Sequence, residues 1–276
     1  MNEHWSDSAA SPTPGRIYDV LLRAANDGES SPQARLYFAV DSDAPLRHLE
    51  YCFGNGFTRG VVPERRRRQF NTLTMWDAAA LNRDAEDLIT VLHETLSLSR
   101  FGELDLVSIL DWSTIAAGRS LGSINARRTR SPGLQTDRAR TYNDRPRIGP
   151  LALQALVSDM SRVVKSHPAY RSASVIIGGP DALSDAPNIR TQLAQGVATA
   201  TGKDLIILRW PAWQIANGAP SQSSLERRIS GSCIVVDDVW TDGATMNAIA
   251  RLARASGASN AYGLASTMSH ITEAQH

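Results

Sequence analysis

Lysine is nearly missing from this chain. Of 29 basic residues in 276, only Lys165 and Lys203 are lysines, and the rest are arginines. Cysteine is equally scarce, with Cys52 and Cys233 alone. Two thiols so far apart in sequence make neither a disulfide framework nor a four-cysteine zinc site. They fit a reducing, cytosolic compartment. No apolar run reaches the roughly 18 residues of a membrane-spanning helix. Charge of one sign is also lacking. With 29 basic and 28 acidic residues the net charge is +1, so the whole-molecule field argues neither for nor against nucleic acid. Residues 1–15 lack the basic start and apolar run of a signal peptide. Polar and rich in Ser and Pro, they are expected to form a disordered leader.

What is present is ordinary for a globular protein: 42% apolar and 21% charged residues. The length allows one large domain or two small ones. Residues 17–25 read as a short helix and residues 35–41 as a buried strand. Gly54, Gly56 and Gly60 punctuate a loop. Arg65 to Arg68 form a run of four, more often a solvated face than a nucleic-acid site. From Met75 to Leu98, apolar Leu81, Leu88, Val91, Leu92 and Leu96 predict an amphipathic helix. Asp105 to Leu110 reads as a strand. Residues 16–125 are therefore expected to form an N-terminal α/β region of unknown role. Residues 126–147 read as an Arg-rich linker, with too few large apolar side chains to bury much surface.

Beyond residue 148 the pattern becomes regular. Helices are predicted at 150–165, 188–201 and 243–256, and apolar runs at 174–177, 204–208, 232–236 and 261–265. Strands alternating with helices of this length imply a parallel sheet, whose ligands sit at the carboxyl ends of the strands.

One segment carries chemistry: Ile234-Val235-Val236-Asp237-Asp238-Val239-Trp240-Thr241-Asp242-Gly243-Ala244-Thr245. Two carboxylates after a buried strand accept hydrogen bonds, and a ribose offers two adjacent hydroxyls. The loop 241–245 opens a helix, whose N–H groups and dipole favour a phosphate. Gly243 lets the backbone approach a ligand closely. A plain strand-to-helix turn in which Asp242 caps the helix explains the loop, but not the two preceding acids.

This order of parts resembles the 5-phosphoribosyl-1-pyrophosphate (PRPP) motif of type I phosphoribosyltransferases. The resemblance implies an α/β core domain over 148–276, pentosyl transfer in nucleotide metabolism, and Mg²⁺. It places the ribose hydroxyls or the metal's waters on Asp237 and Asp238. The 5′-phosphate falls on Thr241, Asp242, Gly243, Ala244 and Thr245. Two departures stand out. Trp240 replaces a smaller aliphatic residue and could contact the acceptor or pack beneath the loop. Asp242 replaces the usual Thr or Ser, and is expected to turn outward or pair with Arg209, Arg227 or a cation. Gly178 and Gly179 match a pyrophosphate loop, with Arg209 supplying positive charge. Residues 210–231 match a flexible flap.

Within the superfamily, residues 140–268 look most like the competence protein F branch, through Tyr142, Gln222 and Leu225-Glu226-Arg227-Arg228. The four-cysteine zinc module of that branch is missing. Three functions remain open: a phosphoribosyltransferase acting on a base or amine, a non-catalytic PRPP- or nucleotide-binding regulator, and an accessory protein of DNA metabolism. A homodimer is among the assemblies the resemblance allows, and a membrane is not among the partners.

Overall fold

The computed structural model describes residues 11–23, 33–77, 81–113, 150–182, 189–210, 225 and 227–269. The chain divides into two units. One is Met1–Arg100 with Ser166–Ala169, and the other is Phe101–Lys165 with Tyr170–His276. Among the described residues, no helix is long and apolar enough to cross a membrane.

The first unit holds β1 (Ser11–Gly15), β2 (Ile17–Arg23), β3 (Gln33–Val40), α1 (Ala44–Phe53), β4 (Phe57–Gly60), β5 (Thr72–Asp77), α2 (Arg83–Glu94) and most of β6 (Leu96–Phe101). Strands β2 to β5 form an antiparallel sheet in the order β2-β3-β5-β4. Successive side chains alternate between its faces. Leu36, Phe38 and Val40 of β3 share one cluster with Trp76, Leu46, Leu49, Leu88 and Leu92. The intervening Tyr37 packs instead with Val62, Phe70 and Leu73.

Several expectations are corrected here. Ser11–Gly15, expected within a disordered leader, is a strand paired antiparallel with β6, and residues 1–10 lie outside the described residues. Residues 17–23 are a strand, not a helix. Their Leu-rich composition suits either state, and pairing with β3 from Ile17↔Val40 to Arg23↔Arg35 decides it. The helix expected over 75–98 covers only Arg83–Glu94. Met75 and Trp76 end β5, and the Asn82 side chain caps the helix by accepting the Ala85 N–H at 3.1 Å. After Thr95, the alternation Leu96-Ser97-Leu98-Ser99 switches the period from helix to strand.

The second unit holds β7 (Leu104–Ser113), all but the last residue of α3 (Pro150–Ser166), the end of α4 (Pro168–Ser172), β8 (Val175–Ala182), α5 (Ile189–Thr201), β9 (Asp204–Trp210), β10 (Gly231–Trp240), α6 (Ala244–Ala255) and β11 (Ala258–Ser269). Its strands run in the order β7-β11-β10-β8-β9, every neighbouring pair parallel. Continuous apolar runs such as Ile234-Val235-Val236 are what strands covered on both faces require. The regions expected as helices and strands from 150 onward are all present, several of the strands longer than the sequence suggests.

The chain is thus α/β. Its larger sheet is mixed but mostly parallel, has seven strands in the order β1-β6-β7-β11-β10-β8-β9, and is flanked by helices. The unit division falls within β6, after Arg100, rather than at residue 125. Strand β7 accordingly pairs with β11, from Tyr262↔Leu106 to Ser269↔Ser113, and belongs to the second unit. The linker expected at 126–147 lies outside the described residues.

The connection from β8 through α5 leads to β9 on one side. That from β10 through α6 leads to β11 on the other. The boundary between β8 and β10 is therefore a topological switch point, where open α/β sheets bind ligands. Pairing of β8 with β10 ends at Val236↔Gly178. Beyond it, β10 continues beside β11 while β8 continues beside β9.

Candidate functional site

Asp237 and Asp238 stand where β8 and β10 part. Expected after the buried strand, they lie within β10 and are each only 3% exposed. Each carboxylate caps its own backbone. Asp237 Oδ1 accepts the Asp238 N–H at 2.8 Å, and Asp238 Oδ1 accepts the Val239 N–H at 3.0 Å. Ser266 and Thr267 of β11 donate to the Asp238 carbonyl.

Two buried carboxylates side by side need a cation. Arg190, the second residue of α5, supplies it. Its Nε lies 3.2 Å from Oδ1 of both acids and donates to Asp238. Burial pushes the Asp237 carboxyl well above the usual carboxylate range, the Arg190 guanidinium pulls it down, and the Asp238 charge raises it again.

The loop after β10 turns at Gly243, whose φ of +73° favours glycine. A side chain could not fit there anyway. A Cβ on Gly243 would meet the Trp240 ring at 2.6 Å and Phe101 at 2.7 Å. Trp240 is 2% exposed and packs edge-on against Phe101, ring centroids 4.9 Å apart. Of the two roles open to Trp240, packing beneath the loop is the one observed, and a buried ring offers no face to an acceptor.

Asp242 is exposed, and among the described residues it makes no ion pair with Arg209 or Arg227. Its Oδ1 accepts the Ala244 N–H at 3.0 Å and the Thr241 hydroxyl at 3.3 Å. Those two donors are among the groups expected to hold a phosphate. The carboxylate therefore occupies two of the donors expected to face an anion. Thr241, Ala244 and Thr245 are at least partly exposed at the mouth of α6.

Gly178 and Gly179 lie inside β8, not in a loop after it. A Cβ on Gly178 would sit 2.3 Å from the Ala194 Cβ, so this glycine serves close helix–strand packing. Gly179, at φ +106°, marks the register shift of β8 against β9 between Gly178 and Asp181. Arg209 is exposed on β9, in register with Asp181. The cation at the acid pair is Arg190 instead. Its signal was an arginine in the first helical turn, where the helix dipole disfavours a cation unless an acid faces it. The flap expected over 210–231 lies mostly outside the described residues, as do Tyr142 and Gln222.

As they stand, these side chains do not fit the implied Mg²⁺. Arg190 faces both Oδ1 atoms, and each of those also accepts a backbone N–H. Among the described residues, no group of three His, Cys, Asp or Glu side chains could hold a metal.

In the first unit a second polar cluster is buried that the sequence did not reveal. His48 Nε2 contacts the Leu98 carbonyl at 2.9 Å and its Nδ1 contacts His167 Nε2 at 3.0 Å. The Cys52 thiol lies 4.0 Å from His167 Nδ1. A carbonyl only accepts, so Nε2 of His48 carries the hydrogen. His167 Nε2 then donates to His48 Nδ1, and the thiol donates to His167 Nδ1. Both rings are neutral. Burial lowers His48 to about 4 and holds His167 well below the ordinary histidine value. The Arg65–Arg68 run has partners too: Arg66 lies 5.0 Å over the Tyr37 ring, and Arg67 Nε donates to the Val62 carbonyl at 3.1 Å.

Comparison of the chain with protein-family models, curated proteins and solved structures finds no match.

Proposed function

We propose that the second unit is a phosphoribosyltransferase-like core that binds PRPP at the carboxyl ends of β8 and β10. There it transfers ribose 5-phosphate to a base or amine nitrogen. The bond from the anomeric carbon to the diphosphate oxygen breaks, the acceptor nitrogen bonds to that carbon, its proton leaves to solvent, and pyrophosphate departs. The observation that carries this reading is one of placement. An acid pair, a glycine turn and a helix start follow one another on the strand beside the switch point of a parallel sheet. Asp238, beside the parting of the strands, is suited to accept from ribose hydroxyls. The first turn of α6 is suited to a 5′-phosphate. Rate enhancement would come from positioning, since among the described residues no general base stands beside these groups.

A second reading is a regulator that binds PRPP or a nucleotide without turnover. Asp242 favours it, because its carboxylate already holds two of the loop's donors.

The test is a melting curve with PRPP. A ligand at 100 times its Kd stabilises the folded state by about 2.7 kcal/mol, so PRPP is expected to raise the melting temperature by several degrees. Pyrophosphate release with a panel of bases and amines then separates enzyme from regulator. No shift at millimolar PRPP would sink both readings.

A further inference from the structure

Two carboxylates on a strand end invite a divalent cation, yet this chain brings its own cation to them. Arg190 Nε stands 3.2 Å from Oδ1 of Asp237 and of Asp238. Its side chain is 22% exposed, against 5% for each acid. The guanidinium thus closes the solvent side of a pair enclosed elsewhere. Its place in the helix makes the contact specific. A cation in the first turn faces the positive end of the helix dipole, a position worth avoiding without an acidic partner. Two adjacent buried carboxylates, in turn, are costly without a cation. Each feature is unfavourable alone, and each compensates the other.

The packing beneath Arg190 also holds it there. Gly178, the last β8 residue paired with β10, has no side chain, and Ala194 of α5 packs against it. A Cβ at Gly178 would meet Ala194 Cβ at 2.3 Å and come within 3.8 Å of the Arg190 carbonyl. The absence of one side chain lets α5 lie close against the strand that borders the acids.

We propose that Arg190 is the resident cation of the acid pair, so that the guanidinium and a divalent metal exclude each other there and the site takes its sugar phosphate without a metal on Asp237 or Asp238. The sugar-phosphate half of this statement rests on the proposed function, whereas the exclusion of metal does not. A guanidinium carries one charge and fixed donor directions, where a hydrated Mg²⁺ carries two charges and needs near-octahedral oxygen ligands. Binding the metal at these carboxylates requires Arg190 to leave.

The experiment uses Mn²⁺ alone as the first probe, followed by electron paramagnetic resonance on the full chain. Wild type is expected to bind Mn²⁺ no better than Asp237→Asn/Asp238→Asn. Arg190→Gln is expected to bind it at least tenfold more tightly than wild type, and the triple variant to lose that gain. Micromolar Mn²⁺ binding by wild type that the double Asn variant abolishes would overturn the proposal, even if Arg190→Gln does not fold. Equal affinity in wild type and a folded Arg190→Gln would overturn it too. The second probe is ribose 5-phosphate, which has no diphosphate to chelate metal. Its stabilisation of wild type is expected to be the same in EDTA and in MgCl₂, and stabilisation only with Mg²⁺ would contradict the proposal. If neither ribose 5-phosphate nor PRPP stabilises wild type under any condition, the sugar-phosphate reading falls, and the Mn²⁺ series still decides the role of Arg190.

Discussion

His48 in the first unit and Asp237 in the second are both enclosed, and burial moves their protons in opposite directions. His48 is driven to give its proton up, to about 4, and Asp237 to keep one, above the usual carboxylate range. In both cases burial disfavours the charged form. The surroundings then differ. The histidines complete each other's hydrogen bonds and end on a backbone carbonyl, so the first unit closes its polar groups among themselves. The acids of the second unit are closed by Arg190, a side chain partly in solvent. One arrangement is finished without a ligand. The other is held by a side chain partly in solvent, at the place where two strands part.

The sharpest way to separate the two is to damage the first unit's core. Trp76 is fully buried, its ring 5.4 Å from Phe53 and 5.5 Å from Phe57, and its Nε1 donates to Thr74 Oγ1 at 2.8 Å. Trp76→Ala is expected to cost about 3–5 kcal/mol in urea unfolding while leaving the Kd for PRPP within about twofold. A large loss of affinity at a temperature where the variant is folded would show that the site depends on the first unit.

Acid tests the histidines next. Their folded-state values are depressed, so the stability they contribute is present above the unfolded value of about 6.5 and is lost as pH falls through about 4. His48 alone accounts for about 3 kcal/mol between pH 7 and pH 4 at roughly 1.4 kcal/mol per pH unit. Asp237 has the opposite sign. Its raised value contributes stability at low pH that is lost as pH rises above the carboxylate range. Urea unfolding of wild type and His48→Gln at both pH values checks the first part. The amide still donates and accepts but does not titrate, so the variant is expected to lose less on acidification. Equal losses would place the acid sensitivity elsewhere.

Much of this contrast was legible in the sequence and part was not, for definable reasons. The second unit was readable because its strands are continuous apolar runs and two of them, β8 and β10, are followed by a helical period. The acid pair, Gly243 and α6 follow from local order alone. In the first unit, Ile17 to Arg23 suits helix or strand equally, and only pairing with β3 decides. Distance in sequence hid the rest. His48 and His167 are 119 residues apart, and Arg190 and Asp238 are 48 apart. Local pattern carries no information on such meetings. Gly178 shows the converse error: a motif-like glycine that the helix behind it requires for packing.

Removing the acids sharpens the other side of the comparison. Asp237→Asn/Asp238→Asn is expected to weaken PRPP binding at least 100-fold, about 2.7 kcal/mol, by calorimetry. The fold is expected to survive. The variant loses the repulsion between neighbouring acids, and Arg190, partly exposed, can turn to water. Affinity unchanged from wild type would remove the acids from the site.

The smallest expected effect falls on Asp242, where the second unit most resembles the self-closed first one. Its carboxylate holds the Ala244 N–H and the Thr241 hydroxyl, as the histidines hold each other. A phosphate arriving at the mouth of α6 meets that charge. Two like charges about 5 Å apart repel by roughly 3 kcal/mol at an effective dielectric near 20. Asp242→Thr removes the charge and keeps a hydroxyl able to accept the same N–H, so stability is expected to change by no more than about 0.5 kcal/mol. If the carboxylate only competes with the ligand, PRPP binding tightens about tenfold, or 1.4 kcal/mol. The gain is less than the full repulsion because the side chain can rotate outward when the phosphate arrives. If instead Asp242 assists the reaction, affinity stays level or weakens and pyrophosphate release falls. Calorimetry and a pyrophosphate assay on this one variant therefore distinguish a site that its own chain has partly closed from one that uses the closing group. No change in either assay would leave Asp242 as a turn-forming residue and nothing more, and the likeness to the histidine pair would be one of geometry alone.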